Sequence, residues 1–407
     1  MLVCSQRPFT DNAAIPYTCK VDKLAIAIEA LTTLLALCGL GYSVLALWSA
    51  RSFSHRVRGN GGAQPVSILK PVKGVDARMY AGFVSHCKQQ YAGEYEILFG
   101  VSDLADPAVT MIHQLQAEFP EQAIRLLECG QRLGTSGKVS NLVQMVPQAR
   151  YQHYIVNDSD ILVSPQYLTR VMAEFAGAKV GMVTVPYIGR AGEKPSERTV
   201  WSKLEALGIA TDFFAGVLTA RKIEGGIHFG LGSTLAFSGE SLDSIGGLEP
   251  LLEYLADDYE LGVRIARAGY EVVLANEVVE TAVPKYGLRG FWDHQMRWMR
   301  STRDSRKAGY AGLVFTYALP WALLNCVASG FTLWSFSLLS LVCVAREAVA
   351  LTVGVGVLRD GQVLRDLWLL PVRDFVSLLL WAWSYANNIV VWRGERFRLK
   401  DGRISRA

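Results

Sequence analysis

Two aspartates near the middle of the chain have the spacing expected of a metal site. Asp158 and Asp160 closely follow an apolar stretch that ends at Val156, with Ser159 between them. At the end of a β-strand, residues two apart point to the same side. Carboxylate oxygens suit Mg²⁺ or Mn²⁺, ions that commonly bind substrate phosphates. The pair therefore predicts a metal site formed by Asp160 and Asp158. The alternative is a turn whose carboxylates cap a helix.

Three more aspartates have types and positions suited to the same chemistry. Asp103 follows an apolar stretch and lies three residues before Asp106, which is suited to cap the next helix. Asp103 is therefore the better candidate for binding the base or ribose of a nucleotide. Asp257 and Asp258 begin another predicted helix, where acidic residues also favour the helix dipole. Attack by an alcohol needs a positioned base. The set predicts transfer of a sugar from a nucleotide donor.

Basic and aromatic residues complete the candidate site. Lys138 ends a glycine-rich segment, but the segment lacks the spacing of an ATPase phosphate-binding loop. Lys138 is a candidate donor contact, with a surface lysine as the alternative. Arg297 and Trp298 suit phosphate oxygens and a sugar or lipid, although both types also anchor proteins at membrane interfaces. His294, three residues before Arg297, is a candidate contact for the leaving diphosphate.

The elements around these residues alternate in the pattern of an α/β domain. Apolar strands alternating with amphipathic helices predict a mostly parallel sheet, and ligands bind such sheets at the carboxyl ends of the strands. The predicted strands are Val66–Leu69, Glu96–Val101, Ile124–Cys129, Tyr154–Val156, Val180–Val185 and Glu271–Ala275. The predicted helices are Arg78–Gln90, Ala108–Phe119, Ser140–Val146, Pro165–Phe175 and Tyr259–Ala268.

Hydropathy predicts an integral membrane protein. The chain has 407 residues, of which 51% are hydrophobic, and Leu24–Ala50 is almost continuously apolar. That length can cross a bilayer, and Arg51, Arg56 and Arg58 place the following domain in the cytosol by the positive-inside rule. A second apolar zone predicts two crossings, one of them in Leu367–Trp392. The stretch Leu313–Leu324 is predicted to be interfacial or re-entrant.

These segments predict four regions. Residues 1–58 are an extracytoplasmic segment and transmembrane anchor, and 59–308 are a cytosolic catalytic domain. Residues 309–392 are membrane-associated and transmembrane helices, and 393–407 are a basic cytosolic tail. The net charge of +4 is small and concentrated beside the apolar segments, which favours lipid headgroups and excludes a nucleic-acid partner.

As an ordered set, these motifs resemble the ceramide glucosyltransferase family and its bacterial relatives that glycosylate hopanoids, within the inverting GT-A enzymes. The resemblance covers roughly residues 60 to 325. The matching phrases are Val66-Ser67-Ile68-Leu69-Lys70-Pro71, Phe99-Gly100-Val101, Asp103-x-x-Asp106-Pro107, Gly137-Lys138-Val139-Ser140-Asn141, Asp158-Ser159-Asp160, Gly232-Ser233-Thr234-Leu235-Ala236-Phe237, Ile245-Gly246-Gly247, Ala256-Asp257-Asp258-Tyr259 and His294-x-x-Arg297-Trp298.

The resemblance implies a GT-A nucleotide-sugar-binding domain in which Asp103 and Asp158 bind the donor. The second aspartate of the acidic pair, Asp258, would be the catalytic base. It further implies a hexosyltransferase that moves glucose from UDP-glucose to the primary hydroxyl of ceramide, giving a β-linkage. The alternative is transfer from UDP-N-acetylglucosamine to a hopanoid. The last motif of the family usually begins with Gln or Arg, and here it begins with His294.

Three other functions share some of these residues. A processive polysaccharide synthase would need more membrane spans, and a polyprenyl-phosphate sugar transferase would not need Asp258 or the Arg297-Trp298 pair. A non-catalytic lipid-binding protein on the same fold would not need Asp258 either. The expected membrane is a bacterial inner membrane or a Golgi-type membrane. The expected partners are a UDP-sugar, a ceramide or hopanoid acceptor and the lipid bilayer.

Overall fold

The computed structural model describes residues 17–54, 62–76, 78–177, 179–192, 194–392 and 395–406. Arg56 and Arg58, on which the predicted orientation partly depends, lie outside the described residues. The strands in chain order are β1 Val66–Val72, β2 Tyr95–Val101, β3 Ile124–Glu128, β4 His153–Asn157, β5 Val180–Thr184, β6 Tyr187–Ala191, β7 Thr234–Ser238, β8 Glu271–Leu274, β9 Val279–Val283, β10 Ile389–Trp392, β11 Glu395–Lys400 and β12 Arg403–Arg406.

The helices alternate with these strands through the central domain and then dominate the last third of the chain. They are α1 Tyr17–Ser54, α2 Met79–Cys87, α3 Ala108–Glu118, α4 Gly137–Met145, α5 Tyr167–Ala173, α6 Val200–Gly208, α7 Phe214–Ile223, α8 Gly239–Asp243, α9 Asp257–Arg267, α10 Leu288–Ser305, α11 Lys307–Gly312, α12 Ala318–Ala328, α13 Leu333–Ala350, α14 Gln362–Asp366 and α15 Leu370–Ser384. Residues 209–213 and 351–357 are π-helical.

A seven-stranded sheet with the order β3-β2-β1-β4-β7-β5-β8 forms the centre of the molecule. Strand β7 is antiparallel to both of its neighbours, and the other neighbouring pairs are parallel. The prediction of a mostly parallel α/β sheet is therefore confirmed. The sequence pattern did not identify β7 as a strand. A second, two-stranded sheet pairs β6 with β9.

The sheet is buried on both faces, as parallel sheets generally are. Side chains of successive residues in a strand point to opposite faces of the sheet. In β2, Leu98 packs into the hydrophobic cluster on one face and Phe99 into the cluster on the other. The cluster around Leu98 also contains Phe53 of α1 and Val353 of the π-helical turn that follows α13. One core therefore joins the central α/β domain to the apolar helices.

Two helices are long and apolar enough to cross a membrane, Lys23–Ser54 and Leu333–Val357. A third apolar segment is bent by 48° between Lys307–Thr316 and Ala318–Ala328. The amide of Asn325 donates to the backbone oxygen of Glu29 and to the Thr33 hydroxyl, which joins α12 to α1 in the outer part of the bundle. The bend occurs in the region predicted to be interfacial or re-entrant.

Residues 367–392 differ from the predicted span. Helix α15 has 15 residues, and strand β10 follows it at Ile389. One face of α15 is buried and carries Arg373 and Asp374. The opposite face exposes a stripe of large apolar side chains at helical spacing, namely Val372, Phe375, Leu379 and Trp383. Trp368, in the turn before α15, is exposed as well. This segment is an amphipathic helix, because its charged residues are paired on the protein side.

The C-terminal residues form a three-stranded sheet in the order β10-β11-β12. Its last strand contacts the loop before α9, where Ile404 N donates to Glu253 O at 2.8 Å and Leu255 N donates to Gly402 O at 3.0 Å. Arg300 of α10 donates to the backbone oxygen of Ile389 in β10. The predicted basic tail is thus attached to the elements that carry the candidate site.

Candidate active site

The predicted aspartates lie at one edge of the large sheet. Asp103 follows β2 and Asp158 follows β4, and both strands run parallel to β1 between them. The carboxyl ends of these strands therefore meet at the same rim, where such sheets bind ligands. The first turn of α9 adds Asp257 and Asp258 to this rim.

Lys138 is at the centre of the acidic cluster. Its Nζ lies 2.8 Å from Asp158 Oδ1 and 3.8 Å from Asp257 Oδ2. Burial by itself lowers the pKa of the lysine, but Asp158, Asp257 and Asp258 outweigh it and raise the pKa above its usual range. The lysine is therefore a fixed positive charge on the rim. Lys138 is in the first turn of α4, whose N-cap residue Ser136 accepts a hydrogen bond from Val139 N.

Asp258 is an aspartate suited to exchange a proton near neutral pH. Burial, followed by the charge of Asp257, raises its pKa from 3.8 to about 7, while Lys138 opposes the rise. A Cβ added to Gly232 would lie 3.1 Å from Asp258 Oδ2, so the carboxyl group faces the backbone of that glycine. Carboxylates kept basic by burial are typical of general bases.

Close contact between two backbone segments fixes the position of Asp258. A Cβ on Gly262 of α9 would lie 2.5 Å from the backbone nitrogen of Gly230, and a Cβ on Gly230 would lie 2.5 Å from the backbone oxygen of Asp258. Side chains at either glycine would separate α9 from the segment that leads into β7. Both glycines therefore hold the start of α9 against the sheet.

Asp160 is held by the second, two-stranded sheet. Its Oδ2 accepts hydrogen bonds from the Thr281 hydroxyl at 2.6 Å and from Ala282 N at 2.8 Å, both in β9. Burial raises the pKa of Asp160, the Thr281 hydrogen bond lowers it and the charge of Asp158 raises it. A cation bound between these two neighbouring carboxylates would offset the repulsion between their negative charges.

The carboxylates of the candidate site fit a cation that is bound partly by the protein and partly by a substrate. Among the described residues, no group of three or more His, Cys, Asp or Glu side chains is arranged to hold a metal ion. Mg²⁺ commonly binds through one or two carboxylates and completes its coordination with substrate phosphates and water. Asp158 and Asp160 supply such a pair of hard oxygen ligands.

Asp103 lies at the outer part of the rim. It is exposed, and its Oδ1 accepts a hydrogen bond from Ala105 N at 2.8 Å. The neighbouring Ser102 hydroxyl donates to Asn141 Oδ1 at 3.0 Å, which ties the loop to the helix that carries Lys138. Asp106 has a structural role, because its carboxylate accepts hydrogen bonds from Gly74 N and, at the start of α3, from Ala108 N.

The last predicted motif lies on α10. The His294 and Trp298 rings contact each other with centroids 4.7 Å apart, and Tyr286 lies 5.6 Å from His294. His294 Nδ1 is 3.0 Å from Oε2 of Glu205, which is 3% exposed. Burial raises the pKa of Tyr286 above its usual range, and the charges of Glu205 and Asp160 raise it further, while Arg297 opposes them. Arg297 is half-buried on the same helix.

A buried polar network continues from His294 toward the apolar helices. Gln295 Nε2 donates to Glu205 at 3.2 Å, and Gln295 Oε1 accepts from Arg373 Nη1 at 3.1 Å. Arg373 Nε then pairs with Asp212 Oδ2 at 2.8 Å, and Arg346 of α13 pairs with Asp212 Oδ1 at 2.6 Å. Charged groups this well buried require such partners. The network joins the α10 motif to a candidate membrane helix.

Sequence reasoning did not assign a role to Lys70 or Glu205. Lys70 is fully buried in β1, and its Nζ donates to the backbone oxygen of Asp158 at 3.2 Å. Burial lowers its pKa to about 7, although Asp160 and Asp158 oppose the change. A lysine directly after an apolar strand segment was a sequence feature that could have pointed to a functional role for Lys70. Glu205 gave no comparable signal, because its partners are 89 and 90 residues away.

The geometry brings together a fixed cation, a metal-binding pair and a basic carboxylate. Lys138 pairs with Asp158 and Asp257, and Asp258 and Asp160 are close enough to these charges to have their pKa values affected by them. This arrangement can hold a diphosphate and deprotonate a hydroxyl. With the α/β sheet and its rim, it defines a GT-A glycosyltransferase.

The family model for glycosyl transferase family 21 matches residues 31–405. The chain therefore belongs to glycosyl transferase family 21, and the prediction of a hexosyltransferase is confirmed as an enzyme class. Ceramide glucosyltransferase 3 of Caenorhabditis elegans is 26% identical over 285 residues, covering 66% of this chain and 59% of that protein. The matched region is thus less than two thirds of that relative's length.

Two other similar proteins span more of the chain. Ceramide glucosyltransferase 1 of Caenorhabditis elegans is 23% identical over 399 residues, which covers 91% of this chain and 81% of that protein. The mannosyltransferase PcManGT from Pyrobaculum calidifontis, solved in complex with GDP-Man and Mn²⁺, is 17% identical and covers 89% of this chain and 99% of that chain, with a TM-score of 0.49.

Proposed function

We propose that the protein is a membrane-bound inverting glycosyltransferase that transfers glucose from UDP-glucose to the primary hydroxyl of ceramide. The observation that carries the proposal is Asp258, a half-buried carboxylate whose pKa is raised to about 7 and which lies beside a cluster suited to a diphosphate. A base with this pKa is matched to proton transfer at neutral pH. The ceramide glucosyltransferase relatives support the choice of donor and acceptor.

The donor lies on the rim formed by the ends of β2 and β4. Asp103 binds the base or ribose, and Lys138 and Arg297 bind phosphate oxygens. Asp160 and Asp158 hold Mg²⁺ or Mn²⁺, which offsets the negative charge of the diphosphate. The hydrogen bonds from Thr281 and Ala282 fix Asp160 in this position. His294 and Trp298 lie beside the diphosphate and the sugar.

The transfer is a single displacement at the anomeric carbon. Asp258 removes the proton from the acceptor hydroxyl as the oxygen forms its bond to that carbon. The bond from the carbon to the UDP oxygen breaks on the opposite side, and UDP leaves with the bonding electrons. Because attack and departure are on opposite sides, the configuration inverts and a β-glycoside forms. Asp258 is protonated at the end of the step.

The acceptor reaches the site from the bilayer. Helix α10 carries the His294 motif, and its Gln295 is connected by hydrogen bonds and ion pairs to Arg346 in the second apolar helix. The site is therefore beside the candidate membrane helices. We place the catalytic domain on the cytosolic side of a bacterial inner membrane or a Golgi-type membrane, because arginines follow the first apolar helix.

A product assay on detergent-purified full-length protein tests the proposal. UDP-glucose and UDP-N-acetylglucosamine are each paired with ceramide and with a hopanoid polyol, with and without Mn²⁺, and products are identified by mass spectrometry. The expected product is β-glucosylceramide, formed only with the cation. Product only from the N-acetylated donor and the hopanoid would show the alternative substrates. No glycolipid from any pairing, with UDP binding intact, would contradict the proposed reaction.

The Asp258→Asn variant tests the role of the base in the same assay. It is expected to lose turnover and to keep cation-dependent UDP binding, because the donor contacts are unchanged. Asp243→Asn provides a matched control, since Asp243 ends α8 and lies outside the candidate site. A near-normal rate in Asp258→Asn would show that another group accepts the proton.

A further inference from the structure

Two aromatic side chains in contact lie between the candidate active site and an exposed surface. Tyr187 begins β6, and Phe213 ends the π-helical turn 209–213. Their ring centroids are 5.6 Å apart, with an angle of 42° between the ring planes. Tyr187 is half-buried, whereas Phe213 is 38% exposed. The pair is therefore a partly open aromatic surface rather than part of the core.

The Tyr187 end of the pair is close to the candidate base. Thr184, three residues before Tyr187, accepts a hydrogen bond through its hydroxyl from Leu231 N at 2.7 Å. The next residue after Leu231 is Gly232, whose added Cβ would lie 3.1 Å from Asp258 Oδ2. Burial, followed by the charge of Asp258, raises the pKa of Tyr187 above its usual range. Tyr187 is therefore close enough to Asp258 to be affected by its charge.

The Phe213 end of the pair is attached to the apolar helices. The preceding residue, Asp212, pairs with Arg346 in the candidate span Leu333–Val357 at 2.6 Å. Asp212 also pairs with Arg373 of α15 at 2.8 Å. Both ion pairs fix the π-helical turn that carries Phe213, and turns of this kind are frequent at functional sites.

Arg346 marks the level at which the span reaches the central domain. Before it, Leu341 and Val344 are 55% and 64% exposed, as suits side chains that contact lipid. After it, Val349 is buried in the core cluster of the central domain. Phe213 follows the residue that pairs with Arg346, so it lies near the boundary between lipid and the central domain.

The surface beside Phe213 is open. Gly216 lies three residues further on, which places it on the same face of the helical segment. A Cβ added to Gly216 would meet nothing within 4 Å. The ring therefore has free space beside it, and an exposed ring with such space can pack against a hydrocarbon chain.

We propose that Tyr187 and Phe213 form the subsite for the acceptor, in which the apolar chain of the lipid packs against the two rings and its hydroxyl reaches Asp258. This inference rests on the proposed function, because it takes the acceptor to be a membrane lipid. The lipid enters at Phe213, beside the candidate span, and its polar end passes Tyr187. An amphiphile fits this order, since the surface is apolar at the membrane end and acidic at the other.

Photo-crosslinking identifies the molecule that occupies the subsite. p-Benzoylphenylalanine is incorporated in place of Phe213, and the full-length protein is placed in nanodiscs of phosphatidylcholine with equal minor fractions of ceramide and a hopanoid polyol. After irradiation, mass spectrometry identifies the attached lipids, and one of the two minor lipids should be enriched over its share of the bilayer. The same probe in place of Phe336, which is 48% exposed near the start of the candidate span, should report the bulk composition.

The variant Phe213→Ala tests the subsite in turnover. It is expected to raise the KM for the lipid acceptor by about tenfold, since it removes the apolar contact of one aromatic side chain. UDP affinity and the slow hydrolysis of UDP-glucose without acceptor should stay unchanged, because the donor contacts are intact. Phe213→Tyr keeps the ring and should resemble wild type. Phe336→Ala removes a phenyl ring of similar exposure and should leave the acceptor KM unchanged.

Failure of the subsite and failure of the proposed reaction give different results. Enrichment of ceramide at position 213 without formation of glucosylceramide would contradict the proposed reaction and support the subsite. Crosslinks with the bulk lipid composition at position 213, or an unchanged acceptor KM in Phe213→Ala, would overturn the subsite. A loss of UDP affinity as large as the rise in acceptor KM would show a general structural effect and would also overturn it.

Discussion

The pH dependence of the reaction should follow Asp258, and its neighbours should move it in opposite directions. The base must be ionised to accept a proton, and its pKa is raised to about 7 by burial and by Asp257. Activity should therefore be near its maximum from about pH 8, fall to half at about pH 7 and decrease further as the pH falls below that value. Near pH 6 about a tenth of the Asp258 carboxyls are ionised. We thus expect about a tenfold fall in kcat/KM for each pH unit below the midpoint.

Two substitutions distinguish titration of Asp258 from a general effect of pH on the protein. Asp257→Asn removes the neighbouring negative charge, so the pKa of Asp258 should fall and activity should persist to lower pH. Lys138→Met removes the neighbouring positive charge, so the pKa should rise and activity should be lost at higher pH. Both variants also change the maximal rate. The quantity that tests the prediction is the pH at which activity falls to half on the acidic side of the pH–rate profile.

The assay is product formation over a pH series at constant, saturating cation concentration. Cation concentration must be fixed because a cation bound near Asp158 also favours ionised Asp258. Asp258→Asn should lower the rate by about 10²–10⁴-fold, the usual contribution of a general base. A limb that does not move in either charge variant, or that moves the same way in both, would refute Asp258 as the titrating base.

Three further predictions concern the metal pair and the packing of the site. Thr281→Val should weaken cation-dependent UDP binding less than Asp160→Ala does, because it removes one hydrogen bond to the Asp160 carboxylate and leaves the carboxylate in place. Isothermal calorimetry measures the UDP affinity of both variants. Equal UDP affinity in wild type and Asp160→Ala would exclude a metal-binding role for Asp160. Gly262→Ala should destabilise the protein by about 1–3 kcal/mol, because its Cβ would meet backbone that cannot move aside; Gly216→Ala, which meets nothing within 4 Å, should leave the melting temperature unchanged or slightly raised. Asp212→Leu should destabilise the protein by about 3–5 kcal/mol, because it removes the carboxylate that pairs with the buried Arg373 guanidinium and also with Arg346. A melting temperature close to wild type would show that the network is not needed for stability.

Local sequence patterns were sufficient for most of the central fold. The predicted strands correspond to β1–β5 and β8, because apolar runs buried on both faces are a strong signal. The short strand β7 was missed although the phrase around it was noticed. Its five residues, from Thr234 to Ser238, carry no alternation that would identify an antiparallel strand inside a parallel sheet.

The aspartates of the candidate site could also be located from the sequence, because each follows a strand or begins a helix. The residues that hydrogen-bond to them could not be predicted. Asp160 depends on Thr281 and Ala282, and His294 depends on Glu205, all of them distant in the chain. Such pairs arise from the tertiary arrangement and leave no local pattern. The same limit explains Leu367–Trp392, where hydropathy indicated a span although Arg373 was to be paired inside the protein.

The attachment of the C-terminal sheet has a consequence for how the protein is made. Ile404 and Gly402 hydrogen-bond to Glu253 and Leu255, just ahead of the helix that begins with Asp257. Synthesis proceeds from the N-terminus, so the loop before α9 emerges from the ribosome roughly 150 residues before the strand that supports it. During that interval the apolar helices can enter the membrane while the candidate site is still incomplete. Membrane insertion would then precede the onset of activity, and a nascent enzyme would not consume donor before it is in place.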